Sequence, residues 1–144
     1  MTVRRSRAVP VPPDDVWAVV SDPHHLPRWW PLTERVEAVD PGAWTSVMRS
    51  DRGNVVRADY RVEAQEPPRR RAWSQALEGT PFERLLREHR TEVALLDGDG
   101  GGTVVSLTVT QKGRGTARLG MWMMRRATRR RLDEALDGLE GALA

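Results

Sequence analysis

The sequence predicts an α+β fold in which a curved antiparallel sheet grips one long C-terminal helix. Three observations predict it. Residues 11 to 31 crowd prolines and tryptophans around two short helix starts. Residues 36 to 112 then read as strands separated by turn residues. From about Thr116 to Leu143 the apolar spacing changes to three or four, the period of a helix. An antiparallel sheet has one face that needs cover, and a helix of about 25 residues, roughly 38 Å long, can supply it. A body of this kind can hold a cavity for an apolar small molecule.

Residues 3 to 9 form the first strand. Pro10, Pro12 and Pro13 end it and set a helix start, because the first helical turn does not need the N–H that proline lacks. Asp14 and Asp15 put negative charge where the helix dipole favours it. Val16, Trp17, Val19 and Val20 supply the apolar faces, with Trp17 as a core anchor. Ser21 or Asp22 caps a second short helix with Pro23 at its first position. Pro27 and Pro31 bracket Arg28-Trp29-Trp30 and keep that helix short.

Val36 to Val39 begins the second strand, Pro41-Gly42 turns the chain, and residues 44 to 50 form the third. From Asn54 to Ala64, Val56, Ala58, Tyr60, Val62 and Ala64 share one face, and Arg57, Asp59, Arg61 and Glu63 share the other. That period of two marks a sheet with one wet face. Pro67-Pro68 interrupts it, and Arg69 to Gln75 resumes a strand containing Trp73. Phe82 to Leu96 is expected as one long strand, although its Leu85-Leu86 pair and Arg/Glu content would also suit a helix. Asp97 to Gly102 is a glycine-rich hairpin turn into Thr103–Lys112. It is not a phosphate loop, since no Gly-Lys-Ser/Thr motif follows. In the final helix, Ala117, Met121, Met124, Thr128, Leu132, Ala135, Leu139 and Ala142 build one stripe. Gly115 is the hinge into it, Gly138 weakens its last turns and Gly141 ends them.

With 144 residues, one domain spanning 1–144 can build an apolar core without metal or disulfide staples. There are no cysteines, which excludes disulfides, thiol catalysis and cysteine-ligated metal. No segment reaches the roughly 18 apolar residues of a membrane span, and no signal-like stretch opens the chain. The cytoplasm is the expected location. The formal charge is +3, and Lys112 is the one lysine among 23 basic residues. Salt confines so modest a field to about 8–10 Å.

Two segments carry a family resemblance. Pro12-Pro13-Asp14-Asp15-Val16-Trp17 leads to Asp22-Pro23-His24-His25-Leu26-Pro27-Arg28-Trp29-Trp30, and Gly102-Thr103-Val104-Val105 opens the last strand before the long helix. The chain resembles the START-like or Bet v 1-like (SRPBCC) superfamily, in its polyketide cyclase/dehydrase and lipid transport branch. The resemblance implies a helix-grip fold: seven antiparallel strands around the C-terminal helix, with two short helices after strand 1 closing one end. It also implies an internal cavity between sheet and helix. Members bind lipids, sterols, polyketides or plant hormones, some catalyse cyclisation, and others act as protein-binding modules. No activity-specific motif transfers a catalytic residue.

The expected ligand is therefore a small hydrophobic or amphipathic molecule, lipid or polyketide-like, held without a cofactor. The alternatives are a cyclase/dehydrase-like enzyme and a protein-interaction module whose cavity is filled by its own side chains. Trp29, Trp30, Tyr60, Trp73, Met121 and Met124 are the candidate ligand-binding residues: rings in a proline-bounded corner, aromatics on strands, and adaptable thioethers on the helix. His89, at same-face spacing with Arg87 and Thr91, is the candidate general base. His24 and His25 suit a surface or capping role. The three histidines do not form a metal-binding spacing. An inward-facing arginine would need a carboxylate or an anionic ligand, a question open for Arg69, Arg71, Arg84, Arg87 and Arg90. Around the cluster Arg125-Arg126 and Arg129-Arg130-Arg131, helical spacing lets Arg118, Arg125, Arg129 and sometimes Arg126 meet phosphates or an anionic surface. However, Arg129 with Asp133 and Arg130 with Glu134 suit i,i+4 pairs on a solvated face. Nucleic acid is accordingly not expected, membrane contact is at most peripheral, and the fold permits a homodimer.

Overall fold

The structure, a computed structural model, describes residues 1–115 and 120–144. Its strands are β1 (Thr2–Val9), β2 (Thr33–Asp40), β3 (Ala43–Arg49), β4 (Val55–Glu66), β5 (Arg70–Gln75), β6 (Leu86–Asp97) and β7 (Thr103–Gly113). Its helices are α1 (Pro13–Val20), α2 (Leu26–Trp29) and α3 (Met121–Leu143). The strands form one antiparallel sheet in the order β1-β7-β6-β5-β4-β3-β2, curved around α3.

Local chemistry sets the boundaries. Asp22 is the cap, accepting the His24 N–H at 3.0 Å, and a short 3₁₀ turn over Pro23–His25 leads directly into α2. The expected strand from Phe82 starts later, at Leu86, because Pro81–Arg84 form a 3₁₀ turn. Thr80 Oγ1 accepts the Phe82 N–H at 3.2 Å and Pro81 holds the first position, a local arrangement that strand periodicity cannot reveal. The expected start of the helix at Thr116 and Ala117, and Arg118 with it, lie outside the described residues.

The core lies between the inner sheet face and α3. Leu132, Ala135, Leu136 and Leu139 pack with Val16 and Val20 of α1 and with Val93, Leu95, Val105 and Leu107 of β6 and β7. Each fully buried Leu or Val contributes roughly 1.5–3 kcal/mol. Ion pairs tie α3 to the sheet edge: Arg5 of β1 meets Asp133 at 2.8 Å, and Arg7 meets Asp137 and Glu140. The expected Arg129–Asp133 pair is thus replaced by one from strand to helix. Arg130 does pair with Glu134, at 3.6 Å. Exposed pairs of this kind contribute about 0–1 kcal/mol each, so the apolar stripe does most of the holding.

Candidate functional site: an aromatic-walled cavity

The inner sheet face carries two cross-strand rows. Trp44, Tyr60 and Gln75 are register partners along β3, β4 and β5, and His89 faces Gln111 across β6 and β7. Beside them run Val62, Trp73, Thr91 and Val109. Alternation along each strand sends these side chains to the same face. The first half of α3 covers them with Ala127, Thr128, Arg131 and Leu132, leaving a cavity of about 340 Å³. Leu26, Trp30, Pro31 and Leu32 close its α2 end.

The wall is a continuous run of rings. Trp30 meets Trp73 edge-on at 6.0 Å, Trp73 meets Trp44 edge-on at 5.8 Å, and Trp44 stacks on Tyr60 at 5.4 Å. Such contacts contribute about 0.5–1.5 kcal/mol beyond area burial and hold the rings in place. Trp44 is further fixed by its Nε1–H donating to Ser46 Oγ at 3.1 Å, and by the Arg71 guanidinium 5.6 Å from its ring centroid. Burial pushes the Tyr60 hydroxyl up to about 12, so it stays protonated and can donate at neutral pH.

Trp30, Tyr60, Trp73 and His89 thus meet in one wall, whereas Trp29, Met121 and Met124 do not line it. Trp29 ends the single turn of α2 and points into the core, 2% exposed, with its ring edge-on to Trp30 at 5.3 Å. Met121 and Met124 are half-buried on the first turn of α3. Thr91 shares the cavity face with His89, but Arg87 is exposed and lies outside. A bulge between Leu86 and Glu88 separates them, so that Leu86 and His89 both face inward. Trp44, Gln75, Gln111 and Arg131 join the wall without having been singled out by the sequence as ligand contacts. Strand alternation around Ser46 could have found Trp44, and the step from Thr128 to Leu132 could have found Arg131.

Two arginines answer the question of inward charge differently. Arg71 is buried, 4% exposed, and hydrogen-bonds the neutral Gln65 amide oxygen. Burial pulls its pKa down while Asp22 acts in the opposite sense. Arg69, by contrast, is exposed and pairs with Asp97 at 2.9 Å. On α3, Arg125, Arg126, Arg129 and Arg130 are all exposed as well. No described helix is long and apolar enough to cross a membrane.

Burial also holds the pKa of His89 below the ordinary imidazole value, with its own backbone group acting in the opposite sense. Its Nδ1 and the Oε1 of Gln111 are buried with no hydrogen-bond partner among the described residues. A depressed folded-state pKa means the unfolded chain binds the proton first as pH falls. The stability contributed by neutral His89 is therefore complete above about pH 6.5, the unfolded value, and is lost as pH falls towards the folded-state pKa. Urea denaturation of the wild type and His89→Gln between pH 7.5 and 5.5 is expected to show a smaller stability loss in the variant. Identical pH profiles would mean that His89 titrates normally in the fold.

The fold and the cavity together define a helix-grip protein. Residues 1–144 match the family described as "Polyketide cyclase / dehydrase and lipid transport", and the chain belongs to that family. Among solved structures, it is similar to TTHA0849 from Thermus thermophilus, with 23% identity, a TM-score of 0.77, and coverage of 99% of this chain and 97% of that one. The Zhui aromatase/cyclase from Streptomyces sp. R1128 matches with 21% identity and a TM-score of 0.79, over 99% and 93% of the two chains. A conserved protein from Geobacillus kaustophilus matches with 14% identity and a TM-score of 0.81, over 99% and 95%. At these identities the structural likenesses show the fold alone. No curated protein matches the chain.

Proposed function

We propose that this protein binds a small hydrophobic or amphipathic molecule, lipid or polyketide-like, between the sheet and α3. The observation that carries the reading is the cavity of about 340 Å³, walled by Trp30, Trp44, Tyr60 and Trp73. Its volume falls within the roughly 300–1,000 Å³ of small-molecule sites, which likewise combine apolar walls with a few polar groups. Enclosure is the mechanism: each Å² of apolar ligand surface removed from water is worth roughly 25 cal/mol before the costs of association. Space in the interior favours this reading over an interaction module filled by its own side chains.

Native mass spectrometry of freshly purified protein, followed by identification of any released molecule against a buffer control, tests the proposal. A stoichiometric adduct that a second hydrophobic compound displaces is the expected result. Apo protein that also fails to bind any member of a diverse hydrophobic library would overturn it.

A cyclase/dehydrase-like enzyme is the second reading, and the placement of His89 in the cavity wall favours it. An imidazole kept neutral by its surroundings is available to take up a proton from a bound substrate. In that case His89→Gln would abolish turnover of a substrate while leaving its affinity within a few-fold.

A further inference from the structure

We infer that the cavity takes an amphipathic carboxylic acid, with its carboxylate at Arg131 and its apolar body against the tryptophans. The inference rests on reading the cavity as a ligand site. It begins with the charge of the wall. Tyr60, His89 and Arg131 are the titratable side chains that line the cavity among the described residues, and none is a carboxylate. Residues 116–119, Thr-Ala-Arg-Leu, contain no acid either.

Arg131 is incompletely neutralised. Its partner Glu134 lies 3.5 Å away, and the same carboxylate is 3.6 Å from Arg130. One half-exposed anion is thus divided between two guanidinium groups at long distances, a weak arrangement. A guanidinium offers five N–H donors in a planar fork that matches a carboxylate, so Arg131 keeps donors for a ligand.

A second cation lies behind the aromatic wall. Arg71 is buried against Trp44, and its hydrogen-bond partner Gln65 is neutral. Among the described residues no carboxylate lies within ion-pair distance of it, and Asp22 acts on it from further away. Two cations flank the cavity and no acid lines it, so the potential inside favours a negative ligand group. The hydrogen-bonding groups of Thr128, Gln75 and Gln111 line the same space. The rings of Trp30, Trp44 and Trp73 offer the apolar body an apolar wall.

Isothermal titration calorimetry with decanoate and 2-naphthoate, each against its matched alcohol (1-decanol and 2-naphthylmethanol) below micelle-forming concentrations, tests the inference. The acids are expected to bind at least tenfold more tightly than the alcohols at pH 7.5. Arg131→Gln should remove that preference by weakening acid binding at least tenfold more than alcohol binding, and Arg131→Lys should retain most of it. Circular dichroism establishes that both variants are folded. Equal affinities, a preference for the alcohols, or an acid preference that survives Arg131→Gln would overturn the inference and leave the ligand-site reading standing. If neither acids nor alcohols bind, the inference falls, and the ligand-site reading is decided by the native mass spectrometry and the hydrophobic library.

Discussion

Gly138→Val is expected to lower the unfolding free energy by about 3 kcal/mol, the upper part of the range for overpacking a closed contact. In sequence terms Gly138 is a weak point, since glycine inside a helix costs about 1 kcal/mol relative to alanine. The structure reverses that reading. A Cβ at this position would lie 2.5 Å from the Trp29 carbonyl oxygen and 2.9 Å from its Cα. These are backbone atoms, which cannot swing away as a flexible side chain would. Arg28 also donates to the Ala142 carbonyl at 3.0 Å, pinning α2 to α3 near the same crossing. Even alanine should destabilise, because the clash exceeds the gain in helix propensity. Gly141 is the control, because a Cβ there meets nothing within 4 Å, and Gly141→Ala should stabilise by up to about 1 kcal/mol. Urea midpoints for the three variants decide the matter. A Gly138→Val protein as stable as the wild type would show that α2 is not seated on α3 as described. The effect reaches the cavity, since Trp30 follows Trp29 directly and forms part of the wall.

The same contact shows why some of the site was legible in the sequence and some was not. Alternation in β4 places Ala58, Tyr60 and Val62 on the inner face, because a half-wet strand has a strict period of two. The stripe of α3 likewise marks Leu132, Ala135 and Leu139 as core. Periodicity gives the direction in which a side chain points but not its position along the axis. Met121 and Met124 belong to the stripe yet sit on a turn of α3 that does not cover the cavity. Trp29 and Trp30 look equivalent in the sequence, but α2 ends between them. Trp29 keeps the helical direction into the core, while Trp30 becomes extended, with φ −85° and ψ 124°. Leu32 at the cavity rim adopts φ 64°, a conformation that no pattern announces for leucine and that tertiary contacts must impose. Arg71 is a candidate for inward charge by sequence, but its burial depends on Trp44 and Gln65 from neighbouring strands. Helical spacing assigns Asp133 to Arg129, and β1 brings Arg5 to it instead. Contacts between distant segments need the sheet order, which local sequence does not carry.

Leu132→Ala and Leu139→Ala should separate the cavity from the rest of the core. Both leucines are fully buried, and removing such a side chain costs about 2–5 kcal/mol, with the size of the residual void setting the place within that range. Leu139 does not line the cavity, so its loss opens a new, closed void among apolar neighbours that stays empty. The cost should be about 4–5 kcal/mol. Leu132 is packed on all sides yet borders the space of about 340 Å³, so truncating it opens into that space. Its replacement extends an existing cavity rather than creating one, so the cost should be nearer 2–3 kcal/mol. The ligand readout should move the other way. Leu132→Ala admits a bulkier molecule and should shift chain-length preference among bound compounds, whereas Leu139→Ala should leave that preference unchanged. Urea denaturation gives the two stabilities, and thermal-shift titration with a homologous series gives the two preferences. Equal destabilisation with no change in preference would mean that Leu132 is ordinary core and that the cavity ends short of it. The predicted divergence instead makes α3 two things along one stripe, a packed helix in its second half and a cavity lid in its first.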